Sequence, residues 1–534
     1  MGGLPVQPRT QPIPLVYRLI RAFFRFLTGV WFREIHLVDD EYLESEGGVL
    51  FVSWHPNGLI DPMLMTARLP GKLTTLVKHQ VFRIPLLGWV FRMAGVVPIG
   101  HASKRAIRLG LARSDAAILS TMAEELAHGG QVLVFPEETT HGEAMVQKIR
   151  SGPARMLLGA LRVADANGWA RPCVVPVGLH YSASSRFRER AALVLERPMT
   201  LPVLPEAGAN LSEPSEDELA WIAEVTTAIE GELKRANLAK ASWHERTLIW
   251  KGRSLVQAEK QRQAGQALSR ATYADSLLGA RRLRAGWEFM LNEEKHVADD
   301  LANACERHFE RLDSLNLRPH DVDARPPKLT AMGFVRVFCS WCWAVVWMFG
   351  LVTWGAMIGN YLPYKFQGLL ERFTRRLNTN ESFQGSIKVL SSVVVFPLWW
   401  VFLSSLLVWF LLDTTSPVYL ALVSHRLLTY VTELPAAGVF VFFMLFWPST
   451  ARAHLNLYAR LVRSTRRFVQ WRAWSDTTKD WDELITNQQR LAARLVQLGA
   501  ELVLPGDDDW IDPPSGSDDV VMVRRREPIP SSMG

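Results

Sequence analysis

The sequence predicts an α/β domain, a mixed sheet flanked by helices, followed by a helical region and a C-terminal transmembrane helical region. Three observations predict it. Between about residues 47 and 198, short apolar β-rich runs alternate with helical stretches, which is the pattern of a sheet domain with crossover helices. Near the C-terminus, 334–358 carries one charge, Arg336, and 389–412 carries none, and both are long enough to span a bilayer. Finally, 48% hydrophobic residues with 20 Trp and 25 Phe are heavy for a wholly soluble chain, whereas 21% charged residues are too many for one that lies entirely in a membrane. At 534 residues the chain also exceeds one comfortable core.

The elements follow in order. Residues 1–36 form an N-terminal amphipathic or interfacial helix, because Arg18, Arg21 and Arg25 share one helical face while Leu19, Phe23 and Leu27 fall elsewhere. The interruption of the apolar run by arginine argues against a cleaved signal peptide. A helix packed on the following domain is the alternative for this segment. Residues 37–205 form the α/β domain, with strands predicted at 49–53, 73–77, 96–99, 132–135, 173–177 and 192–195. Pro198, Pro202 and Pro205 mark a linker, after which Ser212-Glu-Pro-Ser-Glu opens a helical region over 206–330.

The transmembrane region is placed at 331–448, with two to three apolar segments, the third of them, 418–447, interrupted by Arg426, Glu433 and Pro435. Basic residues at Lys365, Arg372, Arg375, Arg376 and Lys388, and again at Arg452, Arg460, Arg463, Arg466 and Arg467, mark cytoplasmic sides. A hairpin of the second and third segments, with the first re-entrant or interfacial, satisfies that rule. A further helical region is expected over 449–504, and 505–534, rich in Asp, Pro, Ser and Arg, is expected to be a disordered tail.

Charge and cysteine usage narrow the function classes. The net charge of +7 is spread thinly and no basic stretch reads as a nucleic-acid motif. Four cysteines, two of them inside an apolar run, suggest no metal set and fit a reducing, cytoplasmic setting. There is no Gly-x-Ser-x-Gly elbow, and Cys173 opens an apolar strand, so a serine or cysteine hydrolase is disfavoured.

The chemistry lies in three strand-to-turn elements. In Phe51-Val-Ser-Trp-His55-Pro-Asn-Gly-Leu-Ile-Asp61-Pro an apolar strand ends in a histidine, and a turn of Pro56, Asn57 and Gly58 leads to a carboxylate. A neutral imidazole can accept a hydroxyl proton, and a carboxylate on its other nitrogen fixes the tautomer and stabilises the cation. Taken alone, such a pair is more often a strand-end histidine beside a helix-capping Asp. The second element, Val132-Leu-Val-Phe-Pro-Glu137-Glu138-Thr139-Thr140-His141 followed by Lys148 and Arg150, brings cations and hydroxyls suited to an anionic substrate. Glu137 would repel a phosphate, so it is expected to hold substrate hydroxyls or orient a cation. The third is Arg171-Pro-Cys-Val-Val-Pro176-Val-Gly-Leu-His-Tyr, a strand whose Pro176 implies a bulge or a position free of ladder hydrogen bonding.

In order and spacing, these elements resemble the glycerolipid acyltransferase superfamily, in which a His–Asp box precedes a Phe-Pro-Glu-Gly box and a Val-Pro-Val box. Trp31-Phe-Arg-Glu-Ile, Ala94-Gly-Val-Val-Pro-Ile, Phe187-Arg-Glu-Arg-Ala and Leu315-Asn-Leu-Arg-Pro-His-Asp-Val extend the likeness to the fungal-type dual glycerol-3-phosphate and dihydroxyacetone-phosphate acyltransferases. The resemblance covers about 30–447 and implies a glycerol-phosphate acyltransferase-type domain. It implies transfer of a fatty acyl group from acyl-CoA or acyl carrier protein to a glycerol-phosphate-type acceptor, with no cofactor and no metal, in phospholipid synthesis. His55 would be the general base and Asp61 its partner. Asn57, Gly58, His101, Glu137, Thr139, Thr140, His141 and Arg150 would bind substrate, and backbone amides of the His55 turn would hold the oxyanion. His101 stands where the family has arginine, and Glu138 where it has glycine. The expected setting is an integral, multi-pass protein of the phospholipid membrane with its catalytic domain on the cytoplasmic face. A lysophospholipid acceptor, an inactive membrane lipid-binding scaffold and a lipid-transport role of the membrane part are the rival readings.

Overall fold

The computed structural model describes residues 13–43, 45–78, 88, 96–99, 115–137, 146–182, 188–206, 214–238, 243–269, 271–323, 331–376, 381–424, 434–476 and 478–526. The chain divides into two compact units: 1–307 with 380–385 and 489–534, and 308–379 with 386–488.

The first unit opens with α1 (Leu15–Trp31), β1 (Phe32–Val38), β2 (Val49–Ser53), α2 (Ile60–Arg68), β3 (Leu73–Lys78), β4 (Val97–Ile99), α3 (Asp115–Ala127), β5 (Gln131–Val134), α4 (Gly152–Asn167), β6 (Cys173–Tyr181) and β7 (Glu189–Leu195). Helices α5 (Glu216–Ala236), α6 (Trp243–Gln263), α7 (Tyr273–Glu293) and α8 (Lys295–Ser314) follow, α8 running across the division between units. The described strands form a sheet in the order β1-β7-β6-β2-β5-β3-β4. Only β6 and β7 pair antiparallel; every other neighbouring pair is parallel. This is the expected mixed sheet. Its centre is β2, buried along its whole length between β5 and β6, which is why Val-Leu-Phe-Val reads as an unbroken apolar run rather than an alternation. Antiparallel register with β7 begins at Val177, just past Pro176, so the proline's missing N–H removes no ladder bond on that side.

The boundary expected at residue 36 falls inside β1. That edge strand is mostly half-buried and lacks the apolar run that marked the others. Helix α1 is anchored as well as amphipathic. Tyr17, Phe24 and Thr28 are buried, and the Tyr17 hydroxyl accepts the Leu73 N–H at 2.8 Å. Arg21 donates to the Leu69 and Gly71 carbonyls and Arg25 to that of Ala67 at 2.9 Å. Cations thus serve the orphan carbonyls at the end of α2. Leu15, Leu19, Phe23 and Phe26 face outward, 41–67% exposed.

In the second unit lie α9 (Pro319–Asp323), α10 (Ala331–Met348), α11 (Leu351–Arg376), most of α12 (Glu381–Leu412), α13 (Pro417–Ser424), α14 (Ala436–Asp476) and the first half of α15 (Thr478–Ala500). Two described helices are long and apolar enough to cross a membrane, over Ser386–Leu412 and Ala436–Arg472; the pair Met332–Trp347 and Val352–Phe373, bent by 54°, would make a third if it is one span. Small residues let α11 approach α14, since a Cβ at Gly359 would lie 2.5 Å from the Trp447 ring. Trp447 also donates to Ser404 of α12 at 3.2 Å. The boundary expected at 448 lies within α14, which continues through Pro448; the hydropathy changes there but the helix does not end. Arg426 and Glu433 lie outside the described residues.

The disordered tail expected from 505 is corrected over 505–526, which packs on the first unit. Strands β8 (Leu502–Val503) and β9 (Arg524–Arg525) pair antiparallel, and Leu502, Leu504 and Val523 cluster with Ala285. Gly516, at φ +87°, lies so close to α5 that a Cβ on Gly231 would meet its carbonyl oxygen at 2.0 Å. Arg281 donates to Asp519 at 2.7 Å and to Glu196 at 3.2 Å, and Arg284 pairs with Asp518. The aspartates that read as solvated are therefore partners of arginines more than 200 positions earlier. Burial alone would raise the Asp519 carboxyl, but Arg281 outweighs it and holds the group below the ordinary carboxylate range. A depressed folded value stabilises above the unfolded value and is lost as pH falls through the folded one. Asp519→Asn should cost about 3 kcal/mol. It should lower the thermal midpoint of this unit at neutral pH by several degrees and flatten its fall below about pH 4, as calorimetry would record.

Candidate active site

The parallel register of β2, β5 and β6 brings their C-terminal ends together, the edge at which open parallel sheets place their ligands. His55 stands two residues beyond β2, Glu137 three beyond β5, and Tyr181 closes β6. The intervening turn reverses the chain at Gly58, whose φ of +54° suits glycine, and sets Asp61 in the first turn of α2, where the helix dipole favours a carboxylate.

Asp61 is fully buried and serves three donors. Its Oδ2 lies 2.9 Å from His55 Nδ1 and accepts the Asn57 N–H at 2.8 Å. Its Oδ1 accepts the Tyr181 hydroxyl at 2.6 Å. Because an ionised carboxylate only accepts, Nδ1 carries the proton and the lone pair of the neutral ring sits on Nε2. Nε2 has no partner among the described residues, and the imidazole is 20% exposed. Phe135 stacks on it, centroids 4.2 Å apart. Burial, then the neighbouring Asp61 charge, pushes the Tyr181 phenol well above its ordinary value, so it remains a donor. This constellation is a base with one nitrogen anchored and the other open. No group of metal-ligating side chains occurs among the described residues.

Residues 34–180 match the family model described as Acyltransferase. That match covers a little over a quarter of the chain. None of the curated proteins compared matches the chain. Among solved structures the chain is similar to the 1-acyl-sn-glycerophosphate (LPA) acyltransferase PlsC from Thermotoga maritima, at 19% identity over 41% of this chain and 80% of that one, with a TM-score of 0.27.

Within the matched segment the expected His55–Asp61 pair forms, and Glu137 and Asn57 have partners inside the protein. Glu137, 5% exposed, accepts the His55 N–H at 3.0 Å and the Gln147 N–H at 2.7 Å, so it braces two loops. Asn57 is fully buried and shapes the turn. Arg150 is exposed, its N–H bonded to the Pro136 carbonyl at 2.9 Å, which keeps it on the Glu137 loop. His101, Thr139, Thr140 and His141 lie outside the described residues. The oxyanion expectation narrows, because the amides of His55, Asn57, Ile60 and Asp61 are all committed within the protein. Gly58 is left as the turn amide without an acceptor among the described residues. Sequence reasoning missed Tyr181 and Phe135. The signal for Tyr181 was its place at the end of the third strand element, but nothing local connects it to a residue 120 positions earlier.

Two substitutions probe this geometry. Tyr181→Phe removes one hydrogen bond to a charged group, worth about 1.5–3 kcal/mol. It should lower kcat roughly tenfold with each KM within about twofold and an unchanged circular dichroism spectrum. Glu137→Gln replaces an acceptor that serves two N–H groups with an amide and should reduce both kcat and thermal stability.

Proposed function

We propose that the chain is a membrane-bound O-acyltransferase that transfers a fatty acyl group from acyl-CoA or acyl carrier protein to the hydroxyl of glycerol-3-phosphate or dihydroxyacetone phosphate. The observation that carries this is the buried Asp61 holding His55 Nδ1 at 2.9 Å while Nε2 stays open, inside a segment that matches the acyltransferase family model.

In this mechanism Nε2 takes the proton of the acceptor hydroxyl as its oxygen attacks the thioester carbonyl. The new C–O bond gives a tetrahedral oxyanion, for which the Gly58 N–H is the free turn donor. Collapse breaks the C–S bond, and the thiolate takes its proton from the imidazolium or from water. Asp61 stays ionised and stabilises the imidazolium between these steps. Exposed Arg150, with the His101 and Thr139–His141 segments, supplies the groups suited to the acceptor phosphate.

A membrane setting fits the partners, since acyl chains and an acylated product partition into a bilayer. Spans at 386–412 and from 436 onward would make a multi-pass hairpin whose basic ends, Lys388 at the start of one and Arg460 onward in the other, lie on the cytoplasmic side, the side assigned to the catalytic domain. The outward row of Leu15, Leu19, Phe23 and Phe26 on α1 suits the interfacial layer.

Purified protein incubated with labelled palmitoyl-CoA and each acceptor should acylate a three-carbon phosphate. His55→Ala should lower the rate about 10²–10⁴-fold. Transfer to lysophosphatidate alone would reassign the acceptor. An active His55→Ala variant would refute the mechanism, and no transfer from either donor to any acceptor would favour a scaffold.

A further inference from the structure

Within the second unit, α10 and α14 enclose a cleft of about 170 Å³, roughly the room of six waters at ~30 Å³ each. One wall is Arg460, Arg463, Ser464 and Arg467 of α14, and the other includes Trp343 and Trp347 of α10. The four α14 residues stand at i, i+3, i+4 and i+7, so they share one helix face. None of the three arginines has a carboxylate partner among the described residues, although basic residues beside them do: Arg466 pairs with Asp321. The indoles meet edge to face at 5.7 Å and remain 64% and 45% exposed.

The position of this cleft along α14 decides what fills it. A hydrocarbon layer of about 30 Å, counted at about 1.5 Å per residue from the start of the helix, ends near residue 455. Arg460 then lies about 7 Å past the hydrocarbon edge, in the headgroup layer, and Arg463 and Arg467 lie about 12 and 18 Å past it, on the aqueous side. Exposed tryptophans are the side chains expected at that depth. A soluble helix would pair or disperse three neighbouring cations. Here they converge with a hydroxyl on a cleft whose Arg460 end lies at the depth of lipid phosphates and whose Arg467 end faces water.

We propose that the cleft between α10 and α14 binds the phosphate headgroup of an anionic phospholipid from the surrounding bilayer. The guanidinium forks and Ser464 take the phosphate oxygens, as planar multidentate donors do, and the indoles cover the glycerol and upper acyl carbons. The site is separate from His55 and its chemistry. It rests on the membrane placement proposed above, and the test keeps the two apart.

Flotation of the full chain with phosphatidylcholine vesicles reports insertion alone; a chain that fails to float removes the membrane placement and this site with it. For a chain that floats, native mass spectrometry after equilibration in mixed micelles of equimolar phosphatidylglycerol and phosphatidylcholine counts the retained lipids. Wild type should keep phosphatidylglycerol in roughly fivefold or greater preference. The triple variant Arg460→Gln, Arg463→Gln, Arg467→Gln should fall to within about twofold of parity, with unchanged flotation and circular dichroism. Excess inorganic phosphate should leave the wild-type preference in place. Parity in wild type, an undiminished preference in the triple variant, or displacement of the lipid by free phosphate would each overturn the proposal.

Discussion

The buried carboxylate of Asp61 is the constraint on which the site depends. A charge with no solvent contact is stable only when its oxygens are occupied by donors, and here three donors come from two places: His55 and Asn57 from the β2 turn, and Tyr181 from the end of β6. The same interaction that satisfies Asp61 aligns His55. Glu137 repeats the device on the neighbouring strand, tying the His55 peptide to the β5 loop. Two buried acids thus join three strand ends, and the geometry of the site follows from satisfying their charge.

Outside the catalytic edge, charge pairing sets the limits of the first unit. Arg281 bridges Glu196, at the end of β7, and Asp519, near the C-terminus, so the last described residues close over α5 and α7. The second unit is held differently, by close helix approach at Gly359 and by indole hydrogen bonds such as Trp447 to Ser404. Those are the interactions that remain useful where apolar burial gives helices no preference for one another.

What was legible in the sequence was whatever is written locally. Apolar runs gave the central strands to within a residue or two at most ends, and the turn residues at 56–58 gave the geometry between His55 and Asp61. The capping box of Ser215 and Glu218 begins α5 within the polar region where a helix was expected. What failed was what depends on distant partners. Edge strand β1 has too little burial to carry an apolar signature. The tail from 505 looked solvated because its arginine partners lie on α7. The two backbone amides that Glu137 holds were not visible, because one of them lies 82 positions away. Tyr181 was visible as a residue but not as a donor, since its acceptor is set by the β2–β6 register.

The central claim is direct attack by the acceptor, with His55 as base and no acylated side chain. Rapid mixing of the protein with labelled palmitoyl-CoA, with acceptor withheld and then supplied, tests it most directly. The account predicts no stoichiometric burst of free CoA without acceptor, no label on the protein, and CoA release in step with acylated product once acceptor is added. A burst of one CoA per chain with the acyl group bound covalently to the protein would contradict it.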